Sequence, residues 1–130
     1  MNKPTVAAGF PTAFLDFAVS RGADRRALVE RAQLRPCDLG APNNRVPLAN
    51  YLALLEAGVE LCDEPALALL FGEAVRLQDI SMVGLIGEVI ESVDSGRRLT
   101  NRYSRLLVDF DDGDASDRTE FVSENGNVWL

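Results

Sequence analysis

The sequence predicts an α+β protein that is mainly α, with about six helices followed by a small antiparallel β-meander at the C-terminus. Apolar residues recur every three or four positions from Phe14 to Leu107, which is the period of an amphipathic helix. From Leu106 the apolar period changes from 3.6 to two, which is typical of a half-buried strand. A chain of 130 residues normally forms one domain.

The first two predicted helices have clear local boundaries. Pro11 opens the first helix, and Arg21-Gly22 ends it, because glycine readily adopts the left-handed conformation at a helix C-terminus. Asp24 can cap the N-terminus of the second helix, Arg25–Ala32. Met1–Gly9 has little pattern and is expected to fray.

The longest amphipathic pattern follows a loop at Arg35–Asn44. Pro47 suits the first turn of this helix, where its missing N–H is not needed. Asp63-Glu64-Pro65 breaks the helix and begins the next one. The expected buried stripes are Leu48, Tyr51, Leu52, Leu55, Val59 and Cys62 in the long helix, and Leu67, Leu70, Phe71, Ala74 and Val75 in the following helix.

The stretch Ile80–Leu107 is predicted to be a helical hairpin around which the rest is organised. In its first helix, capped by Ser81, the expected inward residues are Met82, Ile86, Val89, Ile90 and Val93. Gly84 and Gly87 lie one turn apart within this pattern, and each costs a helix about 1 kcal/mol relative to alanine. Two interpretations stay open: the glycines allow another helix to approach closely, or they leave room for a bound molecule.

The second helix of the hairpin is expected to begin after Asp94-Ser95-Gly96. Its inward residues would be Leu99, Tyr103, Leu106 and Leu107, and its outward residues Arg98, Arg102 and Arg105. The arginines, together with Arg97, either bind a carboxylate or phosphate group, or form a solvated face or pairs with nearby acidic residues.

The C-terminal meander is predicted from three short patterns. Val108 and Phe110 alternate with acidic residues, a second strand covers 119–124, and Asn125-Gly126 is a strong signal for a hairpin turn into Val128-Trp129-Leu130. Ending inside a strand leaves an unpaired edge. We therefore expect the sequence to be the front part of a longer protein; the alternative is a natural end covered by a partner chain.

Composition argues against an enzyme and against metal or cofactor binding. There is no histidine, Cys37 and Cys62 have no metal-ligand spacing, and no glycine-rich phosphate loop follows a strand. The acidic run Asp109–Asp117 does not match a calcium-binding EF-hand loop, because Val108 and Thr119 would occupy its first and last ligand positions. The acidic C-terminal end disfavours contact with nucleic acid phosphates. With no signal peptide or membrane span, a cytoplasmic location is expected.

Several short motifs in order resemble a known family. Phe14–Asp24 and Arg25–Leu34 resemble the opening helices of the arabinose-binding-like N-terminal domain of AraC-type transcription regulators. Arg45-Val-Pro-Leu-Ala-Asn-Tyr resembles the start of that family's long helix, and Asp63-Glu-Pro-Ala-Leu-Ala-Leu its following turn. Val83-Gly-Leu-Ile-Gly and Arg102-Tyr103-Ser-Arg-Leu complete the likeness, which spans about residues 10–124. The link around Asp94–Arg97 is shorter than in the family pattern.

The resemblance implies that residues 1–130 form a single regulatory domain that binds a small-molecule effector, dimerises, or does both. The family's C-terminal helix-turn-helix DNA-binding domain is absent from this sequence, so contact with DNA would belong to that missing part. An alternative function is a ligand-free structural module for dimerisation or protein interaction, acting through helix faces or the open strand edge.

The predicted effector pocket lies between the long helix, Leu48–Leu61, and the hairpin. Arg102 is a candidate anchor for an anionic effector. Tyr103 would be either core or ligand contact. The full set of candidate binding residues is Tyr51, Leu55, Met82, Gly84, Ile86, Gly87, Arg102 and Tyr103.

Overall fold

The first four α-helices enclose the main apolar core of the chain. The computed structural model describes residues 3–81, 89–109, 122–124 and 127–129. Six α-helices lie in these ranges: α1 Gly9–Ser20, α2 Arg25–Arg31, α3 Leu48–Cys62, α4 Leu67–Ala74, α5 Leu77–Ile80 and α6 Val93–Leu107. A 3-10 helix at Pro36–Leu39 lies within the predicted loop. The strands are β1 Thr5–Ala7, β2 Arg45–Pro47, β3 Val108–Asp109, β4 Val122–Glu124 and β5 Asn127–Trp129.

The core is centred on α1, which packs against α3 and α4. Phe14 is fully buried, and its ring meets that of Phe71 edge-on, with centroids 5.2 Å apart and planes at 87°. Gly58 of α3 lies directly over Phe14, and a Cβ there would be 2.7 Å from two atoms of that ring. The absence of a side chain at Gly58 therefore allows α3 to approach α1 closely.

The predicted junction between α1 and α2 is confirmed. Gly22 has φ of +102°, a conformation that favours glycine at a helix end. The carboxylate of Asp24 accepts a hydrogen bond from the backbone N–H of Arg26 at 3.3 Å, as expected of an N-cap. Two ion pairs join the neighbouring helices, Arg25 with Asp16 and Arg31 with Glu60.

The buried ridge of α3 differs from the predicted stripe. Leu54, Ala57 and Gly58 are buried, whereas Leu52 is 50% exposed. The other five members of the predicted stripe are only half-buried. Two of the three buried residues, Ala57 and Gly58, are small and let α3 approach its neighbours, a property that a search for large apolar side chains does not detect. The helix also begins at Leu48, and Pro47 ends β2 instead of opening α3.

The predicted fraying of Met1–Gly9 is wrong for the part that the structure describes, and the strands are not confined to a C-terminal meander. β1 is the central strand of a three-stranded antiparallel sheet with the order β2-β1-β3. Val6 is opposite Val46 on one side and Val108 on the other. Strands of two or three residues are too short to show a period of two, and their pairing joins distant parts of the chain.

The predicted C-terminal hairpin is confirmed in its strands. β4 pairs with β5 in antiparallel register, with Ser123 opposite Val128. The turn residues Asn125 and Gly126, Leu130 and residues 110–121 lie outside the described residues. β3 begins at Val108 as predicted, but it pairs with β1.

Helix α6 begins earlier than the sequence suggested. Ser92 is its N-cap, and the Ser92 hydroxyl accepts a hydrogen bond from the N–H of Ser95 at 3.2 Å. The predicted linker Asp94-Ser95-Gly96 therefore lies in the first turn of the helix. There the positive end of the helix dipole stabilises the negative charge of the Asp94 carboxylate. Serine is a favoured N-cap residue, because its hydroxyl can accept a hydrogen bond from a backbone N–H in the first turn of the helix.

The predicted inward face of the hairpin is only partly correct. Val89 and Val93 are 77% and 70% exposed, so neither faces the core, and Leu106 is 59% exposed. Leu99, Tyr103 and Leu107 are half-buried, and Arg98, Arg102 and Arg105 are exposed, as expected. Apolar periodicity locates the apolar face of α6, but it does not determine how much of that face the rest of the protein covers.

Candidate functional site

Four of the eight predicted binding residues can be placed. Tyr51 and Leu55 lie one turn apart on α3, and Arg102 and Tyr103 are neighbours on α6. Met82, Gly84, Ile86 and Gly87 lie outside the described residues. The predicted pocket between α3 and the hairpin therefore stays a prediction.

Tyr51 lies in the first half of α3 and is half-buried. Its ring is tilted by 52° against that of Phe10, with the centroids 6.2 Å apart. Burial disfavours the charged phenolate and raises the pKa of Tyr51 to about 12. Near neutral pH this side chain is therefore an uncharged hydroxyl that can donate and accept hydrogen bonds.

Leu55 follows Tyr51 by one turn and is half-buried against the main core. Both residues flank the buried ridge of α3 and do not belong to it. An edge of this kind presents apolar surface next to solvent. Tyr51 and Leu55 can therefore contact a ligand without disturbing Leu54 and Gly58, which make the helix contacts.

Arg102 and Tyr103 form a cation–π pair on α6. The guanidinium carbon of Arg102 is 5.5 Å from the centroid of the Tyr103 ring. Arg102 is exposed and Tyr103 is half-buried. The ring covers one side of the guanidinium, whose planar group carries several N–H donors.

Arg97 and Arg98 of α6 differ from Arg102 in their contacts. Asp94 binds Arg98 at 2.9 Å and Arg97 at 3.4 Å. These pairs lie within the first turns of the same helix, so they neutralise part of the basic face. Arg102 lies two turns further along, beyond the reach of that carboxylate.

Strand β1 joins the two halves of the predicted site, since both α3 and α6 pack against it. Val6 of β1 is fully buried in the helical core, and Val108, which follows α6 directly, packs at the margin of that core. The structure thus attaches both helices to a common strand.

Two adjoining surface pockets beside α1 were not expected from the sequence. One, of about 200 Å³, lies between Thr12, Asp16, Leu39 and Asp79. The other, of about 180 Å³, is lined partly by Phe17 and Phe71 and shares Asp79 with the first. Each is smaller than the roughly 300–1,000 Å³ typical of small-molecule sites, so neither is assigned the ligand. The sequence does not indicate these pockets, because Asp16 and Asp79 are far apart along the chain and each has the sequence context of an ordinary surface carboxylate.

Comparison with known proteins decides the class of the chain. The family described as the arabinose-binding domain of AraC transcription regulators, N-terminal, matches residues 22–130. The chain belongs to this family. The likeness found in the sequence motifs is thereby confirmed, and the family is one of regulator domains, not of enzymes.

One curated relative of this AraC-type domain is the ornithine utilization regulator of Pseudomonas aeruginosa. It is 31% identical over 105 residues, which cover 78% of this chain and 30% of the relative. The chain thus spans less than a third of the length of that protein. No solved structure gives a significant match. Within the described ranges, no helix is long and apolar enough to cross a membrane.

Proposed function

We propose that this AraC-type domain senses a small molecule that carries a carboxylate, and that it binds this molecule between α3 and α6. The family match supports the regulatory role. The exposed Arg102 guanidinium over the Tyr103 ring is the observation that carries the ligand class, because a guanidinium binds a carboxylate through two parallel hydrogen bonds. Tyr51 and Leu55 supply a neutral hydroxyl and an apolar contact. Met82, Gly84, Ile86 and Gly87 complete the proposed site.

L-Ornithine is the first ligand to test. The curated relative is named for ornithine utilization, and ornithine carries the carboxylate that Arg102 would bind. Putrescine is a matched control because it keeps the two amines and lacks the carboxylate. L-Arabinose, for which the family is named, is a neutral control.

Thermal unfolding followed by circular dichroism measures this binding. At a hundred times the Kd, a ligand that binds only the folded chain adds about 2.7 kcal/mol of stability. For 130 residues this raises the Tm by roughly 10 °C. We expect the rise with L-ornithine and not with putrescine or L-arabinose.

Two matched variants test the anchor. Arg102→Met should abolish the rise, whereas Arg98→Met should keep it, because Arg98 is paired with Asp94. A ligand that stabilises Arg102→Met and Tyr103→Phe as much as the unmodified chain would refute the site. No response to any carboxylate in a wider metabolite panel would refute the ligand class.

We also propose that the domain dimerises through the exposed apolar side chains of α6. Val93 and Leu106, on that helix, are 70% and 59% exposed. Removing these side chains from water in a dimer contact would favour association. Leu106→Glu should convert a dimer to a monomer in light scattering, whereas Leu69→Glu, at a 77% exposed position on α4, should not. The alternative, a ligand-free dimerisation module, predicts the same scattering result without any thermal response to ligands.

In this proposal the domain acts in the cytoplasm and controls a separate DNA-binding domain. The chain's own part is to change conformation or association when the ligand binds. DNA contact through another domain is consistent with the net charge of −7, which disfavours binding to phosphates.

A further inference from the structure

The guanidinium of Arg45 connects two segments that are remote in sequence. On β1, it donates to the Thr5 hydroxyl from Nε at 3.0 Å and from Nη2 at 2.9 Å, and to the Thr5 carbonyl from Nη2 at 3.0 Å. On α6, its Nη1 donates to the carbonyl oxygen of Leu106 at 2.6 Å. Because the guanidinium is planar and its donors have fixed directions, these bonds together fix β1 relative to the end of α6.

The acceptor on α6 is in a special position. Leu106 belongs to the last turn of the helix, where carbonyl groups have no N–H partner within the helix. These carbonyls also carry the negative end of the helix dipole, which a cation stabilises. Arg45 therefore caps the C-terminus of α6 from 61 residues away.

Among the described elements, helix α6 packs mainly on β1 and on β3, the strand that follows it. None of its fifteen residues is buried, so this packing is shallow. β3 is short and pairs with β1 only at Val108 and Asp109, which lie opposite Val6 and Thr5. Thr5 is thus the place where the strand pairing and the Arg45 bonds meet.

We propose that Arg45 is the positioning residue for Arg102 and Tyr103. Arg102 lies one turn before Leu106, so the cap that fixes the Leu106 carbonyl also fixes the position of the Arg102–Tyr103 pair. The consequence for ligand binding rests on the proposed function, whereas the coupling of Arg45 to α6 does not. Arg45 itself contacts no ligand in this proposal.

Hydrogen exchange in the 130-residue chain tests the attachment without any ligand. Arg45→Met keeps the aliphatic stem and removes every donor. We expect the amides of 105–109 to exchange about tenfold faster, as for the loss of charge-assisted bonds at a surface site, with α1 unchanged. The matched control is Arg31→Met, which breaks the 2.6 Å pair with Glu60 between α2 and α3 and should leave 105–109 unchanged.

Fluorine NMR tests the positioning itself. The chain has two tyrosines, so fluorotyrosine labelling gives two signals, which Tyr51→Phe assigns. Arg45→Met should move the Tyr103 signal and leave that of Tyr51, and Arg31→Met should move neither. A merely stabilising role would not move one tyrosine signal selectively.

The outcomes separate this proposal from the proposed function. Unchanged exchange at 105–109, an equal increase throughout α1 to α4, or an unmoved Tyr103 signal overturns the role of Arg45. If Arg45→Met does not fold, the Thr5→Val variant, which removes the hydroxyl acceptor, is measured instead. Faster exchange at 105–109 together with a moved Tyr103 signal supports the role of Arg45. The absence of either change overturns it. Failure of L-ornithine to bind refutes only the ligand of the proposed function, since both measurements are made without ligand.

Discussion

Gly58 offers a direct test of the packing of α3 on α1. In an exposed helix, Gly→Ala stabilises by about 1 kcal/mol, because alanine loses less conformational freedom. At Gly58 a Cβ would lie 2.7 Å from Cε1 and Cζ of Phe14 and 3.1 Å from Cδ2 of Leu67. Phe14 is fully buried and meets Phe71 edge-on, so a shift of its ring disturbs that contact.

Overpacking of a buried site costs about 1–3 kcal/mol. The upper part of this range exceeds the gain of about 1 kcal/mol in helix propensity. We therefore expect Gly58→Ala to destabilise the chain by up to about 2 kcal/mol. Because unfolding entropy scales with length, a chain of 130 residues loses roughly 4 °C in Tm for each kcal/mol. Urea unfolding followed at 222 nm measures the free energy directly.

Gly72 of α4 is the matched control, because a Cβ there would meet nothing within 4 Å. Gly72→Ala should stabilise by about 1 kcal/mol. Adding Phe14→Leu to Gly58→Ala should cost less than the sum of the two single changes, since the smaller side chain relieves the contact. The reasoning is refuted if Gly58→Ala is as stable as the unmodified chain.

Two further predictions concern single groups. Since burial holds the pKa of Tyr51 at about 12, against 10.0 for the unperturbed group, its contribution to stability is complete below pH 10 and is lost as the pH rises towards 12. In a Tyr103→Phe chain, the absorbance of the phenolate at 295 nm should therefore develop near pH 12, and a midpoint near 10 would contradict the burial of Tyr51. Asp63, which ends α3, has φ of +49°, so Asp63→Gly should raise the free energy of unfolding by about 0.5–1 kcal/mol in a urea titration; a loss would show that its side chain stabilises the turn.

Local signals predicted the junction between α1 and α2 well. Gly22 and Asp24 end one helix and begin the next in the structure, as their backbone preferences and capping chemistry require. The same reasoning misplaced the start of α6, because Ser92, Asp94 and Ser95 all resemble caps and only the hydrogen bond from the Ser95 N–H to the Ser92 hydroxyl distinguishes them.

Part of the proposed site was also accessible from the sequence. The helical period placed Tyr51 and Leu55 one turn apart and indicated that Arg102 would be exposed beside Tyr103. The period could not indicate that Arg102 would stack on the Tyr103 ring while Arg98 pairs with Asp94, because rotamers and neighbours decide between such contacts. Arg45 carried a family resemblance but no predicted contact, since Thr5 and Leu106 lie 40 and 61 residues away.

By itself, then, the sequence determined the mainly helical class, the junction between α1 and α2 and the likeness to the regulator family, because these depend on residue periodicity, caps and short motifs along the chain. Only the tertiary structure decided that β1 is the central strand, that Leu54, Ala57 and Gly58 form the buried ridge of α3, and that Arg45 caps α6. These features arise from close approach and hydrogen bonding between segments that are distant in sequence. The three residues Thr5–Ala7, for example, join β2 to β3 although they are too few to show a periodic pattern.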